Sequence, residues 1–487
     1  MMTTKTTWIL CLVLSTLIAV SCCVARGGQA INSVKDTIAT NRQLGNRGVA
    51  PLLSQIEECK SGYVVIKHHY DLHGKEIIFK EGSTLVFKGG SLSNGSIKGN
   101  NTKIVYKRGA VFDNVSVSGT WVVTNISTDM FRDLNYVNSL ADVLAFTNPA
   151  VYNNVIIKDY GYVYPVRVSS VGVYEAPLRI NSNTDLQLDG IISLLGNNLF
   201  QYRIMLLNNC QNVKIKGNGG VKGDRASHDY SIDEEHKAWK SHEWGHGIKI
   251  SNCRNIEISG IFVNDCTGDS FSIGENSENI FLYGVTAEGS RRQGVTIAVA
   301  SDVTVDKCIF QNIGKNNGTA PGAAVDVEPD NSECEIKNIL IKDCIIQNCR
   351  NGIVSYSKGY GTTWTESVAG KTVVKTDGRH YVNITIKGCS ISGTHDAFSL
   401  IGWDKGEIED CKVSEVELFL RAPQNILVKG NEIECKYFIP HNICVENCKI
   451  TNNKLLLKTK TDLMLKKSTW NNNELTSQSQ INVRVEE

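Results

Sequence analysis

The chain has 487 residues, 41% of them hydrophobic, and a formal net charge of +1. That near-neutral balance excludes nucleic-acid binding by bulk charge. The length allows two or three domains or one repeat array that grows without splitting, and forty-two glycines against eight prolines suit many strands joined by tight turns.

Residues 1–23 read as a signal peptide, with Lys5 as the positive end and Trp8 to Val20 as an apolar run too short for a membrane span. Ala19-Val20-Ser21-Cys22 fits two readings: a bacterial lipobox with Cys22 as the lipid anchor, or an ordinary small-residue cleavage site. Either reading exports the protein to the periplasm, the outer membrane or the medium of a bacterium. No later segment is apolar enough to span a bilayer. Residues 24–61 form a lead-in whose stretch from Ile38 to Cys59 holds a short helix, a cap for an open solenoid end.

Strands begin at Gly62. Tyr63-Val64-Val65-Ile66, Ile77-Ile78-Phe79 and Thr84-Leu85-Val86-Phe87 are separated by Gly, Asn and Ser clusters, the rhythm of short strands and turns. Asp133 to Phe146 is expected to be a helix ended before Asn148-Pro149, an insertion or join between two stretches of strands. A repeated phrase then runs through Asn212-Val213-Lys214-Ile215, Asn255-Ile256-Glu257-Ile258 and Asn338-Ile339-Leu340-Ile341, with Asn suited to the turn into each strand. Tyr360 to Thr376 reads as a polar loop between coils, and residues 466–487 as a cap or tail.

A second phrase sets the register. Gly247, Ser270, Gly294 and Ala324 begin four copies of small–apolar–polar–apolar, spaced 23, 24 and 30 residues apart. Alternation of period two signals a strand, and a repeat of this length signals a solenoid. Ile248, Phe271, Val295 and Val325 should face the interior. Lys249, Ser272, Thr296 and Asp326 should stack on the outside, one per coil, about 4.8 Å apart. Sixteen cysteines in an exported chain would ordinarily suggest disulfides. Here Cys253, Cys308, Cys344, Cys389, Cys411 and Cys448 each follow a strand in a similar phrase, which points to an internal ladder of free thiols.

These phrases resemble the right-handed parallel β-helices of the pectate-lyase-like superfamily. The likeness runs over 62–465, rests on the Asn-Ile-x-Ile strands and Gly268-Asp269-Ser270-Phe271-Ser272-Ile273, and implies an all-β single solenoid with an N-terminal cap and a short helical insertion. The superfamily includes glycoside hydrolases, polysaccharide lyases, epimerases, tailspikes and adhesins, so it implies a polysaccharide or oligosaccharide ligand and leaves the chemistry to the site. The homotrimer of tailspike-like members is one assembly it allows.

Asp326 and Glu328 are i and i+2, so both point one way, about 6.5 Å apart. Such a carboxylate pair is what glycoside hydrolysis uses. His246 falls level with Asp269 on the next coil, and Arg292 lies one residue before the same level on the third. These five form the catalytic set of the first hypothesis, an exported glycoside hydrolase. Lys249, Arg291, Arg225, His228, Tyr230 and Trp244 are the substrate-binding candidates, with aromatic rings to stack on sugars. The second hypothesis is a polysaccharide lyase, with Lys249 or His246 as base and Arg292 or Arg225 neutralising a uronate. The third is a glycan-binding or structural β-helix without catalysis. No cofactor is called for. Asp269, Asp326 and Glu328 are too spread for a calcium cluster, and no metal site is assigned.

Overall fold

The structure, a computed structural model, describes residues 47–59, 62–169, 175–231, 242–328, 335–355, 363–368, 371–376, 380–421, 425–439, 444–476 and 481–486. The stretch expected to be a signal peptide, with Cys22, most of the lead-in, and residues 232–241 of the polar excursion lie outside them. No helix of the described residues is long and apolar enough to cross a membrane.

The chain winds into an all-β parallel solenoid. A first parallel sheet of seven strands is followed by two long ones of twenty and thirteen strands, whose neighbours come from successive coils. In the middle of the molecule each coil has three strands. One coil is Trp244–Ser251, Arg254–Ser259 and Phe262–Asn264; the next is Phe271–Gly274, Ser277–Tyr283 and Thr286–Glu288. Side chains alternate in and out, so Ile256, Ile280, Val303, Ile339 and Ile384 stack into one buried row.

Helix α1 (Ala50–Glu58) buries Leu52 and Ile56 at the N-terminal end. The expected helix from Asp133 to Phe146 is shorter: α2 is Ser139–Leu144, begun at Asn138 in a left-handed conformation. The residues before it bond locally instead, with Ser139 Oγ donating to Leu134 O at 2.6 Å. The stretch read as a polar loop contains an antiparallel pair, Thr363–Val368 with Lys371–Thr376. Parallel pairing continues beyond Leu465, through Ile481–Glu486.

The asparagines before the strands have left-handed backbone, as at Asn212, Asn255, Asn279 and Asn338. Asn tolerates this conformation better than most residues. Their side chains bond from coil to coil, not only locally: Asn255 Nδ2 donates to Asn212 Oδ1 at 3.1 Å, and Asn279 Nδ2 to Asn255 Oδ1 at 2.8 Å.

The eleven described cysteines are free, and ten of them are buried. The single cysteine column expected from the sequence is corrected. Cys308, Cys344, Cys389 and Cys411 share a column, because the strands after them pair Ile309 with Ile345, Ile345 with Ser390, and Ser390 with Lys412. Cys253 stacks on Cys210, and Cys448 lies elsewhere on the thirteen-stranded sheet. The common phrase reflects a turn used on more than one sheet: in each case Sγ donates to the carbonyl two residues earlier. Past Cys411 the column changes to Asn431, Asn453 and Asn473, each Nδ2 donating a hydrogen bond to the next Oδ1 at 2.9 Å.

Candidate functional site

Four strands of one face carry the site: β1 (Trp244–Ser251), β2 (Phe271–Gly274), β3 (Val295–Ile297) and β4 (Ala323–Val327). Their register sets Lys249 opposite Ser272, Ser272 opposite Thr296, and Thr296 opposite Asp326. The 30-residue coil keeps this register because its extra residues loop out. Gly314 and Gly322, both at positive φ, meet at the base of the loop, where a Cβ on Gly314 would lie 2.4 Å from Gly322 Cα. Only glycine fits such a crossing without displacing the backbone.

The polar column was expected to lie open to solvent. It is sunken instead: Lys249, Ser272, Thr296 and Asp326 are all buried, Asp326 completely. Side chains from the strand entries and exits fold across it and bond to it. Gln293 Nε2 donates to Asp326 Oδ2 at 2.7 Å, while Gln293 Oε1 accepts from the Ala323 amide at 2.7 Å. Thr296 Oγ1 donates to Asp269 Oδ2 at 2.9 Å. Arg292 spans two carboxylates, with Nη1 3.3 Å from both oxygens of Asp269 and Nη2 3.0 Å from Glu328 Oε2.

The structure therefore brings His246, Asp269, Arg292, Asp326 and Glu328 together. Their exposures differ: the Asp269 side chain is 1% exposed, Arg292 14% and Glu328 39%, so Glu328 is the most open of these acids. Glu328 follows the end of β4 and lies within hydrogen-bonding reach of Asp326.

Burial, then the neighbouring Glu328, pushes the Asp326 carboxyl well above its ordinary value, with Arg292 pulling the other way. The shift favours the protonated form of Asp326. Its Oδ1 has no donor among the described residues. A protonated Asp326 has a hydrogen bond to offer to Glu328. Burial also raises Asp269, against the opposing pull of Arg292 and Thr296. Burial disfavours the Arg292 charge, but Asp269, Asp326, Glu328 and Glu243 outweigh it and raise its pKa.

His246 Nδ1 lies 3.2 Å from Asp269 Oδ2, a distance that would suit an ion pair. That nitrogen accepts from the Asp269 amide at 3.1 Å, so it carries no proton. Burial, followed by the charges of Arg203, Lys249 and Arg292, pushes the imidazole well below its ordinary pKa. His246 is a neutral ring with its proton on Nε2. Lys249 Nζ is 3.5 Å from Ser272 Oγ and 3.9 Å from Glu275 Oε1.

The other binding candidates form a wall beside this floor. Arg291 lies 4.7 Å over the Tyr230 ring, which is 36% exposed, and its Nε donates to Asn317 O at 3.0 Å. Trp244 is half-buried, and its carbonyl accepts from Arg203. Two candidates are corrected as direct substrate contacts. Arg225 directs its guanidinium to the carbonyls of Gly289, Lys315 and Asn316, clamping turns of neighbouring coils. His228 has no exposed side chain: Nδ1 meets Asp224 at 2.8 Å and Nε2 meets His242 at 3.0 Å.

Sequence reasoning missed Arg203, Gln293 and Glu243. Arg203 pairs with His246 across the ladder, but 43 residues separate them, and the long excursion hides the repeat. Gln293 is level with Ala323 in the repeat, and the hydrogen bond from the Ala323 amide to Gln293 Oε1 follows from that position. Glu243 has no periodic signal. Among the described residues no group of three or more His, Cys, Asp or Glu side chains is placed to hold a metal ion.

A family model described as a right handed beta helix region matches residues 206–368. Two proteins of Bacillus subtilis strain 168 are similar in sequence. The uncharacterised YclG protein is 28% identical over 165 residues, 31% of this chain and 28% of its own length. The prophage-derived uncharacterised YorA protein is 30% identical over 173 residues, 35% of this chain and 25% of its own length. The match thus spans about a quarter of the length of these relatives. Among solved structures, an exopolygalacturonase from Thermotoga maritima is 13% identical with a TM-score of 0.48, covering 72% of this chain and 89% of its own. The polygalacturonase of Erwinia carotovora is 14% identical with a TM-score of 0.44, covering 75% and 96%.

Proposed function

We propose that this right-handed parallel β-helix is an exported polysaccharide-degrading enzyme, a glycoside hydrolase whose acid is the Asp326–Glu328 pair. The observation that carries the reading is the orphaned Oδ1 of a fully buried Asp326 beside the half-exposed Glu328. Two carboxyl groups so placed share one proton, because a second negative charge there is opposed by burial and by the first. Glu328 faces the groove and passes that proton to the leaving glycosidic oxygen as its bond to the anomeric carbon breaks; a water from the groove forms the new bond to that carbon, and the proton it gives up restores the proton of the pair. Asp326 then supports Glu328 from behind. Arg292 holds Glu328 and Asp269 in place, and neutral His246 offers Nε2–H as a donor to substrate.

Elimination from a uronate finds less support. It needs a base and a free cation, yet His246 Nδ1 accepts from the Asp269 amide, Lys249 lies between Ser272 and Glu275, Arg292 is bonded to two carboxylates and Arg225 to three carbonyls. The test is a panel of neutral and uronate-containing glycans, followed by reducing sugar and by ultraviolet absorbance together. Reducing ends without absorbance, lost in Glu328→Gln and Asp326→Asn, are the expected result. Absorbing unsaturated products that survive both substitutions would replace this reading with a lyase.

A further inference from the structure

The thirteen-stranded sheet forms a different face of the solenoid, and a cavity of about 440 Å³ lies open along it. Tyr152 bounds one end and Phe281 the other. The outward column here runs Asn154, Asp185, Lys214, Glu257, Phe281, one residue per coil. Four steps at about 4.8 Å separate Asn154 from Phe281 by about 19 Å. Tyr152 is 58% exposed, and its hydroxyl is tied to Asp185 Oδ2 at 3.1 Å. Phe281 is stacked on Tyr283 at 5.8 Å, and Tyr283 is itself 39% exposed.

One side of the trough is the ladder of Asn183, Asn212, Asn255 and Asn279. In the ladder, Asn212 and Asn255 each spend one N–H and one lone pair on their neighbours. A carboxamide has two of each, so donors and acceptors remain, repeated at the coil spacing. The charges on the other side cancel locally: Lys214 pairs with Glu257 at 3.2 Å and Lys216 with Asp185 at 3.0 Å.

We infer that this trough is a second glycan-binding site, separate from the acid cluster, which takes an extended neutral oligosaccharide along the solenoid axis. Rings at the two ends stack on sugar faces, amides between them bond to hydroxyl groups, and the balanced charge favours neutral sugars over uronates. It would hold a polymer on the enzyme while another part of the chain lies in the catalytic groove.

The test is calorimetric titration with cellohexaose, xylohexaose, mannohexaose and a galacturonate hexamer. It is run on the wild type, on Tyr152→Ala with Phe281→Ala, and on Glu328→Gln. The double substitution is expected to weaken binding of a neutral hexasaccharide by about tenfold or more. Glu328→Gln removes hydrolysis during the titration, and the double substitution made in that background should give the same fold loss of binding, so the result stands apart from the hydrolase reading. Failure of every neutral hexasaccharide to bind, preference for the galacturonate hexamer, or binding unchanged by the double substitution would overturn the inference.

Discussion

Replacing Asp326 by Asn tests the shared proton directly. Asn is the closest shape to a protonated Asp: its oxygen can accept from Gln293 Nε2 as Asp326 Oδ2 does, and its NH2 can donate toward Glu328. The packing around this fully buried side chain therefore need not change. The pH dependence does. Burial and Glu328 raise the Asp326 pKa in the folded state. A raised pKa means that the folded state holds the proton after the unfolded chain has lost it. The wild type then keeps its full stability below the unfolded value and loses it as pH rises to the folded value. In that window the slope is about 1.4 kcal/mol per pH unit for one proton. The variant has no proton to lose there. Urea unfolding of both proteins from about pH 4 to about pH 9 should give a difference curve that rises in favour of the variant and levels off at the raised pKa. Activity should be lost throughout, because an amide supplies no acidic proton. A flat difference curve, or a variant less stable than wild type at neutral pH, would refute the neutral buried acid and the mechanism built on it.

Three further outcomes follow from the geometry. Arg292→Lys keeps the charge but cannot span Asp269 and Glu328, so kcat should fall by about 10²-fold while circular dichroism is unchanged; a near-normal kcat would remove Arg292 from the site. Arg225→Met removes a clamp on three carbonyls, so stability should drop by about 1.5–3 kcal/mol in urea unfolding while KM stays constant, and a raised KM with normal stability would restore Arg225 as a substrate contact. Asn431→Ala removes the acceptor of the Cys411 amide and a donor to the Ile408 carbonyl in the interior, which should cost about 1–3 kcal/mol, and a neutral substitution would show that water replaces the ladder.

Much of the fold was readable because it is periodic. The small–apolar–polar–apolar phrase placed Thr296 opposite Asp326 before any coordinates, since period two fixes which side chains share a face. The strip's depth was not readable. It depends on Arg292, Gln293 and Glu328 reaching across their neighbours, and reach is not periodic. Arg225 and His228 looked like groove residues because they are polar and close in sequence to the site. For Arg225 the choice between substrate and carbonyl is settled by coils 64 to 91 residues away, as at Gly289 and Asn316, and for His228 by the side chains of Asp224 and His242 that enclose it. The cysteine column failed for a related reason: one turn phrase serves on two sheets, so identity of phrase does not give identity of position.

The column that begins with four thiols and ends with three carboxamides has a consequence for how this chain changes length. Each rung asks of its neighbour only the same small, self-complementary group. A duplicated coil would find matching rungs above and below, and a deleted coil would leave matching rungs in contact. Past β4, from the rung of Cys389 onward, whole turns can be gained or lost with the seam already healed. Across β1 to β4 no such freedom exists, because His246, Asp269, Arg292 and Asp326 are four different residues on four successive turns. The molecule thus joins a segment that tolerates recounting to one whose count is fixed by chemistry.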